Sequence, residues 1–110
     1  MSDSNQRHTV RVPKMLEVEY SADCPPIQTR MQDLSETGLF LESHFPLAIG
    51  TVIDLRFELQ DGNPEPIVSR ARVCNVDPMV GLGVEFVDMP PAVRQRLRMY
   101  VASIYFGMGD

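Results

Sequence analysis

Residues 52–59 and 67–76 alternate apolar and polar side chains almost without a break, and nothing else in the chain restricts its fold as strongly. In the first stretch Ile53, Leu55, Phe57 and Leu59 share one face. In the second, Ile67, Ser69, Ala71, Val73 and Asn75 stand opposite Val68, Arg70, Arg72, Cys74 and Val76. A period of two belongs to a β-strand, whose successive side chains leave on opposite sides. Between the stretches, Asp61-Gly62-Asn63-Pro64 combines residues that favour turns and predicts a hairpin.

The same period recurs elsewhere. Leu16, Val18 and Tyr20 fall on one face of a strand broken by Cys24-Pro25-Pro26. Residues 27–34 are more polar, with Ile27 and Met31 as their apolar members, and are expected at a sheet edge. A turn cluster at residues 33–38 leads into a strand at Leu39-Phe40-Leu41, and a loop follows at 46–50. Residues 81–87 are the last strand, with Val84 and Phe86 facing inward. Asp88 is placed to cap a helix opened by Pro90-Pro91, since proline is tolerated in the first helical turn. Val93, Leu97, Tyr100, Val101 and Ile104 then share a helical face, and Gly107 follows as a stop. Arg94, Arg96 and Arg98 lie mostly on the other side and read as solvated charges. Short, closely spaced strands followed by one helix predict an all-β antiparallel barrel with a C-terminal helix at about residues 90–106.

A chain of 110 residues suits one domain. Its 44% hydrophobic content is too high for disorder, and no apolar run approaches the roughly 20 residues that span a bilayer, so membrane insertion is not expected. The polar start, MSDSNQRH, offers no signal peptide, which predicts a cytoplasmic protein whose Cys24 and Cys74 are reduced thiols. The net charge is −5, yet Asp3 against Arg7, Arg11 and Lys14 gives the first fourteen residues +2 and leaves −7 for the rest. Residues 1–13 are accordingly expected to be a flexible basic arm, and residues 14–110 an acidic barrel with its helix. That acidity excludes general DNA or RNA binding, which needs many phosphate contacts from a basic face. It leaves room for a small anion held by a few arginines. A monomer or weak dimer is expected, and the few exposed apolar candidates do not decide between them.

Catalytic chemistry finds no footing. His8 and His44 share no metal-ligand spacing with each other or with the cysteines. There is no GxSxG, and no Ser or Cys has a suggestive partner. Glu17 and Glu19 share a strand face and read as solvated. Met79, Met89, Met99 and Met108 read as packing gap-fillers. Gly81-Leu82-Gly83 lacks the strand–turn–helix setting of a dinucleotide fingerprint. Two clusters remain. Arg7 and Arg11, four apart, read either as a solvated tail or as a pair that swings onto an anion. Asp33-Leu34-Ser35-Glu36-Thr37-Gly38 reads either as a turn or as a ligand loop. In the turn, Asp and Ser side chains bond nearby amides and Gly38 supplies a positive φ. In the ligand loop, the same carboxylate accepts two parallel bonds from a guanine edge.

Taken together, in this order and spacing, the clusters resemble the PilZ domain family over nearly the whole chain. The matching residues are Arg7-x-x-x-Arg11 and Val12-Pro13 running into Glu17-Val18-Glu19-Tyr20; Asp33-x-Ser35-x-x-Gly38 leading into Leu39-Phe40-Leu41; Gly50-Thr51; Gly81-Leu82-Gly83-Val84-Glu85-Phe86-Val87; and the proline-opened helix.

The resemblance implies a six- or seven-stranded antiparallel PilZ-like barrel and a cyclic di-GMP receptor with no resident cofactor and no enzymatic activity. It assigns Arg7 and Arg11 to the phosphates and guanines of the ligand, and Asp33 and Ser35 to a guanine base, with Gly38 permitting the turn. Gln6 stands where many members have a further arginine that favours a stacked ligand pair, so it is the candidate for setting stoichiometry. Arginine forks suit this task, at roughly 1–3 kcal/mol per good bidentate pair. Ordering the arm costs roughly 1–2 kcal/mol per residue, which the ligand must offset. The implied output is an ordered arm and an altered surface for an unidentified effector protein. The other reading within the family is an interaction adaptor that does not bind the nucleotide.

Overall fold

A computed structural model of the chain describes residues 10–22, 25–43 and 47–107. Gln6, Arg7, His8, Cys24, His44 and Met108 lie outside the described residues. The elements are β1 (Val12–Ser21), β2 (Ile27–Leu34), β3 (Gly38–Glu42), β4 (Val52–Phe57), β5 (Ile67–Asp77), β6 (Gly81–Val87) and α1 (Pro91–Tyr105). The six strands close into one antiparallel barrel in the order β1-β2-β3-β6-β5-β4, and β1 returns to β4 through pairs from Val18↔Phe57 to Ser21↔Asp54. β1 starts at Val12, so Val12 and Pro13 belong to the sheet and not to the expected arm.

Alternation fills the interior. Leu16, Val18, Tyr20, Ile53, Leu55, Phe57, Ile67, Ala71, Val73, Val84 and Phe86 are all buried in one core. Burying each large apolar side chain contributes about 1.5–3 kcal/mol. The core also takes Met31 and Leu34 from β2, which is not an edge: it pairs with β1 on one side and β3 on the other. Its polar outer face had hidden that second neighbour. β4 stops at Phe57, but Leu59 stays buried beyond it. The alternation of β5 breaks between Val73 and Asn75, where a bulge shifts the register against β6 and sends Asn75 outward with Cys74.

The helix lays Leu97, Tyr100 and Val101 into the same core, with Val93 and Ile104 partly buried beside them. Asp88 does not cap it. That residue sits at φ +58°, and Pro90 is the N-cap, with no side-chain hydrogen bond. Pro90 precedes Pro91 and is held extended, as a residue before proline tends to be. Gly107, at φ +75°, closes the far end by donating to the Ile104 carbonyl at 3.0 Å. No helix among the described residues is long and apolar enough to cross a membrane.

Arg96 departs from the expected solvated charge. Its guanidinium donates to both Asp61 carboxylate oxygens, at 2.9 and 3.0 Å, and to the carbonyls of Glu65 and Asn63, at 2.8 and 2.9 Å. The turn residues at 61–64 thus form part of a longer β4–β5 loop that grips the helix. Met89 fills the core as expected, whereas Met79 is 80% exposed and Met99 63%.

Candidate ligand-binding cleft

Strand register brings the two sequence clusters together. Val12 pairs with Leu34 and Pro13 with Asp33, so Arg11 arrives beside the turn that opens at Ser35. Arg11, Asp33, Ser35 and Gly38 all line one cleft of about 370 Å³. It lies on the outside of the barrel wall. Thr37 of the turn lines it too, and β3, β5 and β6 supply the rest, including Phe40, Cys74, Asn75, Gly83 and Glu85.

The turn is built around Ser35, which is only 3% exposed. Its hydroxyl oxygen accepts from the amides of Thr37 and Gly38, both at 3.1 Å, and lies 3.2 Å from the Gly38 carbonyl to which it donates. The Ser35 amide donates to that same carbonyl at 2.9 Å, and the Phe86 amide fastens the turn to β6 by donating to the Thr37 carbonyl at 2.8 Å. A hydroxyl has one proton and two lone pairs, so this set occupies the Ser35 side chain fully.

Gly38 is required for a different reason than expected. It is not among the residues of positive φ. It opens β3 against β6, and a Cβ there would overlap the Val84 carbonyl oxygen and stand 3.2 Å from the Glu85 Cα. Close approach of two backbones, and not turn conformation, excludes a side chain. Gly38 lies opposite Glu85 and Gly83 opposite Phe40, so no side chain rises from the floor at these two points.

Arg11 is exposed, and Asp33 is half-buried. Among the described residues, neither side chain has a hydrogen bond or ion pair, and the same holds for Glu85. All three charges are therefore available to a ligand. Glu36, inside the turn, is instead taken by the helix: Arg98 Nε donates to it at 2.9 Å. No cluster of three or more metal-ligating side chains occurs among the described residues.

Asp33, Ser35, Gly38 and Arg11 were thus visible as candidates. Phe40, Cys74, Asn75, Gly83 and Glu85 were not. Alternation marks Cys74 and Glu85 as outward but puts Asn75 on the inner face, and the convergence of all five follows from β6 lying between β3 and β5, which sequence order does not show.

The chain is thus a small closed antiparallel barrel with its cleft on the outer wall, between a residue ahead of β1 and the turn after β2. The PilZ domain family model matches residues 5–103, and the chain belongs to the PilZ domain family. Solved structures agree on the fold. The inhibitor of motility MotI/DgrA from Bacillus subtilis superposes with a TM-score of 0.82 at 19% identity, covering 92% of this chain and 52% of that one, so this chain spans about half its length. The PilZ domain of YcgR from Escherichia coli, solved with c-di-GMP, gives 0.69 at 18% identity over 93% of both chains. The PilZ domain of CeSA from a cellulose-synthesizing bacterium gives 0.61 at 20% identity over 92% of this chain and 99% of that one. A comparison with curated proteins found no match.

Proposed function

We propose that this protein is a non-enzymatic cyclic di-GMP receptor that presents the bound state to a partner protein. The single observation that carries the reading is the convergence of Arg11, Asp33, Ser35 and Gly38 on one exterior cleft. Its volume of about 370 Å³ falls in the usual range of small-molecule sites. Membership in the PilZ family supports the reading, as does the c-di-GMP in the YcgR structure.

In this reading the Arg11 guanidinium holds a phosphate or a guanine edge, and Arg7 joins it from beyond the described residues. Asp33 accepts the N1–H and N2–H donors of a guanine. Ser35 and Gly38 work by fixing the turn that carries Asp33, because the Ser35 hydroxyl is already occupied. Binding fastens the N-terminal segment across the cleft, and the altered surface is the signal, read in the cytoplasm. Gln6 bears on whether one ligand or a stacked pair is held.

An adaptor that ignores the nucleotide has one observation in its favour: Met99 in the middle of the helix, and Tyr105 and Phe106 at its end, expose apolar surface. Calorimetric titration with cyclic di-GMP decides the matter on the wild type and on Arg7→Ala, Arg11→Ala and Asp33→Ala. The receptor reading expects binding that each change weakens. Tight binding that survives all three removes the proposed site. No binding and no rise in thermal midpoint at high ligand concentration favours the adaptor.

A further inference from the structure

We infer that Glu85 reads a guanine base and so sets the base preference of the cleft; this rests on the cyclic di-GMP reading above. Glu85 points outward from β6, opposite Gly38 on one side and Arg72 on the other. Its side chain forms no ion pair with Arg72 and no hydrogen bond with any described residue. The cleft therefore holds one described cation, Arg11, against two uncommitted carboxylates, Asp33 and Glu85.

A dianionic ligand gains nothing from such a wall by charge alone. It gains only if the carboxylates accept hydrogen bonds from it. The Watson–Crick edge of guanine supplies two parallel N–H donors, which match the two oxygens of a carboxylate. Cyclic di-GMP carries two such edges, and the cleft carries two such carboxylates. They stand on β2 and β6 with β3 between them, about 10 Å apart across the sheet at ordinary strand spacing and offset by two residues along it, because Glu85 faces Gly38 whereas Leu34 faces Leu39. Gly38 has no side chain to screen Glu85 from the rest of the cleft. The same division orients the ligand: phosphates toward Arg11, one base toward Asp33 on β2 and the other toward Glu85 on β6.

The sign of one substitution tests this. Glu85→Gln keeps the shape but offers one acceptor and one donor. If Glu85 reads guanine, the change weakens cyclic di-GMP binding by about tenfold, the scale of a lost hydrogen bond to a charged group. It also narrows the preference over cyclic di-AMP, whose adenine edge pairs one donor with one acceptor and suits an amide. Calorimetry of the full chain with both dinucleotides, for the wild type, Glu85→Gln and Asp33→Asn, gives the answer. Thermal midpoints check that the exposed substitution leaves the fold intact. Unchanged or tighter binding by Glu85→Gln, with Asp33→Asn still weakened, overturns the role of Glu85 and leaves the receptor standing. Failure of the wild type to bind cyclic di-GMP overturns both.

Discussion

Arg96 on the helix grips Asp61 in the β4–β5 loop through two parallel N–H···O bonds of 2.9 and 3.0 Å. Both side chains are largely covered, at 18% and 21% exposure, so water competes weakly for the pair. The loop that joins two strands of the barrel is thereby tied to the element that covers the core.

Replacing Arg96 with Ala strands four acceptors and frees the loop. We expect a loss of about 1–3 kcal/mol, measured as a lower urea midpoint with unchanged slope. A midpoint equal to wild type would show the grip to be energetically idle.

The same pair predicts acid sensitivity. The Arg96 hydrogen bond holds the Asp61 carboxyl below its ordinary 3.8. A carboxylate whose folded value is depressed adds stability above its unfolded pKa and loses it as pH falls through the folded one. Between pH 6 and 3 the wild type should therefore lose more thermal midpoint than Asp61→Asn, with the difference arising below about pH 4. Parallel curves for the two proteins would contradict the assignment.

Ser35→Ala and Asp33→Ala should separate structure from binding. Ser35 satisfies two backbone amides in a buried turn, so its loss should cost about 1–3 kcal/mol. The Asp33 side chain bonds nothing among the described residues, so its loss should leave the denaturation midpoint within about 0.5 kcal/mol of wild type. Equal midpoints for the two variants would refute the division.

Gly38→Ala should fail more severely than an ordinary strand substitution. The added methyl meets the Val84 backbone, which cannot rotate away as a side chain would. A cost of about 1–3 kcal/mol or more is expected, with altered amide shifts along β3 and β6. A spectrum identical to wild type would mean that the strands part without strain.

Tyr100 offers a substitution in the favourable direction. Its hydroxyl is buried with no partner among the described residues, in a side chain 6% exposed. Tyr100→Phe removes a desolvated polar group and should raise the thermal midpoint or leave it level. A clear drop would reveal a bond that the hydroxyl makes in solution.

Strands with a clean period of two were legible because burial on one face leaves no alternative phase. Ile53 to Phe57 and Val84 to Phe86 point inward as read. Asn75 was misplaced because a bulge inserts one residue, and nothing local marks it. Asp88 fails as a cap for a local reason, since Pro90 takes that position, whereas Arg96 escapes a reading from its own helix because a loop far away in sequence holds it. Within the cleft, Arg11 and the turn at Ser35 carried a recognisable spacing. Glu85 did not, because a charged residue on an outward strand position looks solvated until its neighbours are known.

Closure of the sheet has a consequence for how this molecule meets other proteins. β2, β3, β6 and β5 each have a strand on both flanks, so an incoming chain cannot extend the sheet by zipping along any of them. Association at this wall must rest on side chains, whose identity single substitutions alter without disturbing the backbone ladder beneath. A scaffold of this kind is free to change its company while keeping its frame.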